Sequence, residues 1–330
     1  MRIDIAGIGR EPDRMDHAAF VARMEEIDRL GYDGVWFNEF HFQTPPQPYP
    51  SLLLLAAAIF ARTERLRIGS SVLVLPLHNP LLLAEQIAQL DWQSGGRIDI
   101  GLGRGTDPGT LARLGIDPAH TRARFEEAFA TIRAVWDGTA RHEAGEGDAL
   151  AIPVQACVQR PHPPLYVAGY TEETLAFAGR HGLPLLLSLE PPETRQLEIY
   201  NEVLQRHGFP SRLAESSLTR YVVIGRSAAE AEAHLAHLLP LLQERRIYYA
   251  GRRGVAPQDV VPIDRGLLLR DQLILGDPES CFQQIADLRR RMGIAALRCV
   301  FNGNGVLSPP VSMEQMRLFS REVLPRLRDV

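Results

Sequence analysis

Asn38, Glu39, Phe40, His41 and Phe42 follow the short apolar run from Gly34 to Phe37, which places a carboxylate two residues from an imidazole. That pair has the chemistry to move a proton, because an unperturbed imidazole titrates at about 6.5 and both of its protonation states are within reach. His41 reads as a general base or a hydrogen-bond donor, with a packed or surface histidine as the bland alternative. Glu39 ranks behind it: a carboxylate at a strand end acts as acid or base, orients a neighbour, or pairs with an arginine. Further polar groups gather after three other apolar runs. These are Ser70 and Ser71 with His78, Asn79 and Pro80 beyond them, then Gly101 to Gly105 around Arg104, then Gly169 and Tyr170 to Thr174. The planar guanidinium of Arg104 suits bidentate contact with a phosphate, although an arginine paired with a nearby carboxylate is an equal reading of one residue. Thr171 has the position of a helix N-cap with Glu172, Glu173 and Thr174 in the first turn, where free amides can meet an anion. A cap alone is the simpler account. An arginine loop and a hydroxyl-and-amide loop together point to a phosphorylated cofactor.

Positioning such loops requires parallel strands, since ligands of α/β proteins gather where strands end and helices begin. Strand-like and helix-like runs alternate along the chain. A strand around Ile3 to Ile8 precedes a helix from about Asp16 to Leu30, with Phe20, Met24, Ile27 and Leu30 at helical spacing and Gly31 as its stop. Further strands are expected at Gly34 to Phe37, Leu66 to Val74, Arg97 to Leu102, Leu165 to Ala168, Leu183 to Leu189, Leu218 to Ile224 and Ala296 to Phe301. Helical patterns fall between them. This alternation predicts a (β/α)8 TIM barrel, a single domain over 1–330 with insertions at about 138–164 and 246–275 where it lapses.

Composition narrows the function further. The chain has 330 residues, a formal net charge of -4 and charged residues that make up 23% of the total. No positive field exists to gather nucleic acid or an anionic membrane. Every one of the 36 basic residues is arginine, so a catalytic Schiff-base lysine and a P-loop lysine are excluded. Cys157, Cys281 and Cys299 form no C-x-x-C pair, and the histidines, His162, His181, His207, His234 and His237 among them, show no metal-ligand spacing. The N-terminus carries no basic region followed by a long apolar run, and Leu52 to Phe60 is too short to span a bilayer, so a cytoplasmic location is expected.

Five segments in order resemble the bacterial luciferase-like flavin monooxygenase family over nearly the whole chain. They are GYDGVWFNEFHF (31–42), RIGSSVLVLPLHNPLLLAEQIAQLD (67–91), SGGRIDIGLGRG (94–105), LYVAGYTEETLAFAGRHGLPLLLS (165–188) and FNGNGVLSPPVSMEQMRLFSREVLP (301–325). The resemblance implies a (β/α)8 barrel with reduced FMN at the strand C-terminal ends, the phosphate held by Arg104 and by Tyr170, Thr171, Glu172 and Thr174. It also implies a non-proline cis peptide at the end of strand three, under the flavin ring, expected here between Ser70 and Ser71. The luciferase pattern has two histidines after the glutamate, whereas this chain has Phe40 and then His41. Phe40 cannot carry a proton, so light emission is not the expected activity. The implied activity is oxygenation of a small organic substrate by O2 and reduced FMN from a separate reductase, in a homodimer. The same fold also admits two other functions: deazaflavin F420 with hydride transfer, or a non-catalytic flavin-binding partner protein. The loops Ala140 to Pro164 and Arg246 to Leu275 are expected to shape the substrate pocket, with Tyr248, Tyr249, Arg252 and Arg253 contacting the substrate, closing over the flavin, or simply forming a mobile lid.

Overall fold

The computed structural model describes residues 1–9, 16–44, 46–105, 107–142, 150–251 and 254–329; Arg252 and Arg253 lie outside them. The chain forms two compact units, one of Met1–Trp36 with Gly169–Val330 and the other of Phe37–Ala168. The first unit opens with β1 (Arg2–Ala6) and α1 (His17–Arg29). Helix α1 buries Phe20, Met24 and Ile27, the apolar stripe expected from their spacing, and the chain turns after it at Gly31 with φ 87°. Strand β2 (Gly34–Phe37) then pairs parallel with β1 in the register Asp4 to Gly34.

The second unit supplies most of the candidate site. Helix α2 (Leu52–Phe60) leads to β3 (Arg67–Ser70) and β4 (Leu73–Val74), the two halves of the single strand expected from Leu66 to Val74. They are parted at Ser71–Val72, where the peptide bond is cis. The expected position, Ser70–Ser71, is therefore one residue too early. Ser70 still belongs to the ladder: its hydroxyl donates to the Gly101 carbonyl and accepts from the Gly101 amide, both at 2.8 Å. The Ser71 amide donates to the Phe37 carbonyl, so the chain leaves the ladder only after it.

Helix α3 (Pro80–Ser94) starts at an Asn79 cap that accepts from the Leu81 and Leu82 amides, with Pro80 at its first turn, and it stops at Gly95 in the left-handed region. Strand β5 (Ile98–Gly103) lies between β3 and β4 on one edge and β8 (Leu165–Val167) on the other, all parallel. Between them in the chain run α4 (Pro108–Arg113), α5 (Thr121–Trp136) and an antiparallel hairpin of β6 (Arg141–His142) with β7 (Leu150–Ala151). The hairpin lies within the expected insertion at 138–164. Its later part is tied to the frame by Asp91, whose carboxylate accepts from the Val158 and Gln159 amides at 2.6 and 2.9 Å.

The first unit resumes with α6 (Glu172–Arg180), β9 (Leu186–Leu187), α7 (Glu193–His207) and β10 (Ser217–Ile224). Helix α8 (Ala228–Gly251), α9 (Arg265–Asp271), β11 (Leu273–Gly276), α10 (Pro278–Met292), β12 (Ala296–Val300), α11 (Pro309–Glu322) and α12 (Leu324–Arg328) complete it. Strand β12 pairs with β1 and β10, and β10 pairs first with β9 and then with β11, all parallel. The stretch 246–275, expected as a lapse in the pattern, thus contains the end of α8, all of α9 and most of a further strand. Leu235, Leu238 and Leu242 of α8 pack with Val223, Leu268 and Leu273 into a local core that the sequence pattern did not show. No helix among the described residues is long and apolar enough to cross a membrane.

Candidate functional site

The chain leaves β2 at Phe37 and turns at once into the segment that carries Asn38, Glu39 and His41. Glu39 is the centre of a polar cluster within the second unit. Its Oε1 accepts hydrogen bonds from His41 Nε2 and from His78 Nε2, each at 2.8 Å, and its Oε2 accepts from the Val74 amide at 2.7 Å. The Glu39 residue is 6% exposed. Burial alone would push its carboxyl up, yet the bonds from His41 and His78, the His78 charge and the Val74 amide together bring it down to about 2. Glu39 is therefore an ionised acceptor and does not serve as a proton donor near neutrality. His41 shows the converse: the hydrogen bond to Glu39 raises its pKa, partly offset by burial. The order expected from the sequence, with His41 ahead of Glu39, becomes one of roles: His41 can exchange a proton and Glu39 holds it in place.

Other groups fix the same loop. Asn38 donates from its side chain to the Ser71 carbonyl, joining the end of β2 to the cis peptide. The His41 carbonyl lies within hydrogen-bond reach of Thr110 Oγ1 and of Gln43 Nε2, both at 3.0 Å, and Phe42 adopts φ 53° directly after it. Asn38 and His78 were among the polar groups expected at strand ends but were given no role, and Thr110 was not among them. The signal available for His78 was its place just beyond the strand that carries Ser70 and Ser71.

Arg104 follows β5, and among the described residues its guanidinium has no hydrogen-bond or ion-pair partner. The glycines beside it are needed for packing within the protein itself. A Cβ on Gly103 would lie 2.3 Å from Val72 Cγ2, and one on Gly105 would lie 2.3 Å from Val74 Cγ1, so both glycines make room for this protein's own valines. Ser70, expected as a cofactor contact, commits its hydroxyl to Gly101, and Ser71 contributes its main-chain amide and carbonyl to the frame.

Tyr170 to Thr174 lie in the first unit. Thr171 caps α6 as expected, accepting from the Thr174 amide, and Gly169 leaves the space that the Thr174 methyl fills. Tyr170 is half exposed, and Glu172 is paired with Arg206 of α7. No cluster of histidine, cysteine and carboxylate suited to a metal occurs among the described residues. All three cysteines are buried and free, and burial raises Cys157 to about 11 and Cys281 to about 12, which removes them as nucleophiles.

The profile of the luciferase-like monooxygenase family matches residues 5–296. An uncharacterised protein of Sinorhizobium fredii, y4wF, is 32% identical over 213 residues, 63% of this chain and 61% of that one. The 4-hydroxyprotoasukamycin monooxygenase of Streptomyces nodosus is 38% identical over 115 residues, 34% of this chain and 30% of its own length. The chain thus matches less than two thirds of either relative.

Among solved structures, the oxygenating constituent of 3,6-diketocamphane monooxygenase of Pseudomonas putida, solved with FMN, covers 99% of this chain and is itself covered over 98%, at TM-score 0.74 and 18% identity. A coenzyme F420-dependent tetrahydromethanopterin reductase of Methanopyrus kandleri covers 98% and is covered over 99%, at TM-score 0.68 and 19% identity. These likenesses carry the fold, and the α/β class of (β/α)8 barrels expected from the sequence stands. With a family profile matched over most of its length, the chain is a member of the luciferase-like monooxygenase family.

Proposed function

We propose that this protein is a monooxygenase that uses reduced FMN, supplied by a separate reductase, and O2 to oxygenate a small organic substrate. The observation that carries the proposal is the Glu39 cluster, in which one ionised carboxylate holds two imidazoles at a strand end in a member of this family. The residues fit a phosphorylated flavin on two separate local observations. Among the described residues the Arg104 guanidinium has no partner, and α6 begins at a threonine cap, a helix end of the kind that receives anions. Arg104, and independently Tyr170, Thr171 and Thr174, would hold the phosphate; Glu172 would act through its pairing with Arg206. Ser71 would lie under the ring, with Ser70 shaping the strand beneath it. FMN, when bound, supplies the electrons that activate oxygen. Glu39 orients the His41 ring, and His41 Nδ1 holds or returns a proton at the substrate.

Anaerobic titration with reduced FMN and with reduced F420, followed by mixing with oxygenated buffer and recording of flavin absorbance, tests the proposal. Preference for reduced FMN with oxygen-dependent turnover is expected. Preference for F420 without oxygen reactivity would establish the hydride-transfer reading that the F420-dependent neighbour suggests. Binding of FMN with no turnover of any kind would favour a flavin-binding partner protein. Arg104→Gln is expected to weaken reduced FMN binding by about 10- to 100-fold, the value of one charge-assisted phosphate contact, while riboflavin, which lacks the phosphate, binds both proteins equally. Equal loss for both ligands would show that Arg104 does not meet the phosphate.

We propose further that the protein works as a homodimer through α2 and α3. Leu54 is 76% exposed, Leu82 57% and Trp92 62%, an apolar surface on two helices of one unit. Light scattering is expected to give twice the chain mass for the native protein and the single mass for Trp92→Glu. A native monomer would reject this interface.

A further inference from the structure

The Glu39 cluster contains one more imidazole than the proposed function uses. Ionised Glu39 is an acceptor only, so both Nε2 atoms that approach its Oε1 at 2.8 Å carry hydrogens. That fixes the tautomer of each ring: Nε2–H faces Glu39, and Nδ1 is the atom left to bind or release a proton. Among the described residues neither Nδ1 has a partner. The two side chains are exposed to nearly equal degrees, 25% for His41 and 23% for His78, so solvent protons reach both.

We propose that His78 is a positioning residue that acts on His41 through Glu39, so that the proton held by His41 depends on the second imidazole at the same carboxylate oxygen. The inference rests on the proposed role of His41 and names what regulates it. The physical reason is charge. With no imidazolium the cluster carries one negative charge, with one it is neutral, and with two it is positive. A half-buried site favours the neutral state, so the first proton binds firmly and the second against repulsion across one carboxylate oxygen. Such a pair titrates in two steps that belong to both rings together. Among the described residues Glu39 is the one charged side chain bonded to either ring; Asp107 reaches the His41 carbonyl only through Thr110, which lies 2.6 Å from its carboxylate. Protonation or loss at Nδ1 of one ring leaves both Nε2–H bonds to Glu39 in place, so the proton count changes while the geometry holds.

Histidine ring NMR tests the inference on the whole protein, with signals assigned from His41→Gln and His78→Gln. Long-range nitrogen–proton spectra of the native protein at high pH should show the Nε2–H tautomer for both rings; an Nδ1–H tautomer in either overturns the proposal. On titration the native His41 ring should show a two-step curve. In His78→Gln, where the amide still donates to Glu39, His41 should titrate in one step with its midpoint raised by about half a unit or more, because the competing imidazolium is gone. An unchanged His41 curve in a variant with native circular dichroism would mean that His78 only packs. Failure of reduced FMN to bind these proteins would remove the proposed function without altering the ring titrations, so the two readings fail separately.

Discussion

Glu39→Gln should lower folding stability at pH 7 by about 3.5 kcal/mol, measured by urea denaturation, and the deficit should shrink as the pH falls from about 4.5 towards 2. The size follows from the carboxyl's shift from 4.5 to about 2, some 2.5 units at about 1.4 kcal/mol each, in a group whose side chain is 2% exposed. The sign follows from linkage. A carboxyl lowered in the folded state contributes stability that is fully present above its unfolded value and is lost as pH falls through its folded one. His41 acts in the opposite sense. Its pKa is raised, so its contribution is fully present below about 6.5 and is lost as pH rises through the folded value. The cluster therefore stabilises the protein most between about pH 4.5 and 6.5, and Glu39→Gln should remove that maximum from the stability profile. Gln also retains the wrong atoms: an amide nitrogen in place of one oxygen would face a Val74 or histidine N–H, leaving a donor buried without an acceptor. A pH-independent difference between the two proteins would show that Glu39 is not held ionised by its partners.

The sequence made His41 and Glu39 legible because both lie within five residues of the end of a strand whose four residues are all buried. The alternation of strand-like and helix-like runs placed that strand and α1 closely, and Gly31 marked the end of α1. His78 was not legible as part of the site. It is 39 positions from Glu39 along the chain, and only the folded register of β3, β4 and β5 brings its ring to the same carboxylate oxygen. The need for glycine on either side of Arg104 was not legible, because Val72 and Val74, which would meet any Cβ there, lie some thirty positions earlier in the chain. The cis bond fell one residue from its expected place for a related reason. The Ser70 hydroxyl bonds with Gly101 and the Ser71 amide bond to Phe37 decide where the ladder ends, and both partners are distant in sequence. The strand at Leu273–Gly276 was lost inside an apparent insertion because four residues give too short a period to read.

Gly103→Ala should destabilise the protein by about 2 to 3 kcal/mol, and Val72→Ala should restore most of that loss when combined with it. The new methyl would lie 2.3 Å from Val72 Cγ2 and 3.1 Å from Val72 Cβ. A valine is stiff at χ1 and cannot swing a long tail aside, so the strand end or the loop carrying Arg104 must move. Removing the valine methyls empties that space at a cost of about 1 kcal/mol for a partly exposed side chain, and the double variant should match Val72→Ala alone. Gly105→Ala provides the contrast. It meets Val74 Cγ1 at 2.3 Å but also sits at φ +69°, so Val74→Ala relieves the contact and leaves the left-handed strain of about 1 kcal/mol unrelieved. Reduced FMN affinity should follow the same pattern if Arg104 meets the phosphate: weaker in Gly103→Ala, recovered in the double variant, incompletely recovered for Gly105. Recovery of stability without recovery of affinity would separate the packing of this loop from any role in holding the cofactor, because the valines would then be supported by the glycines while Arg104 contributed nothing to binding.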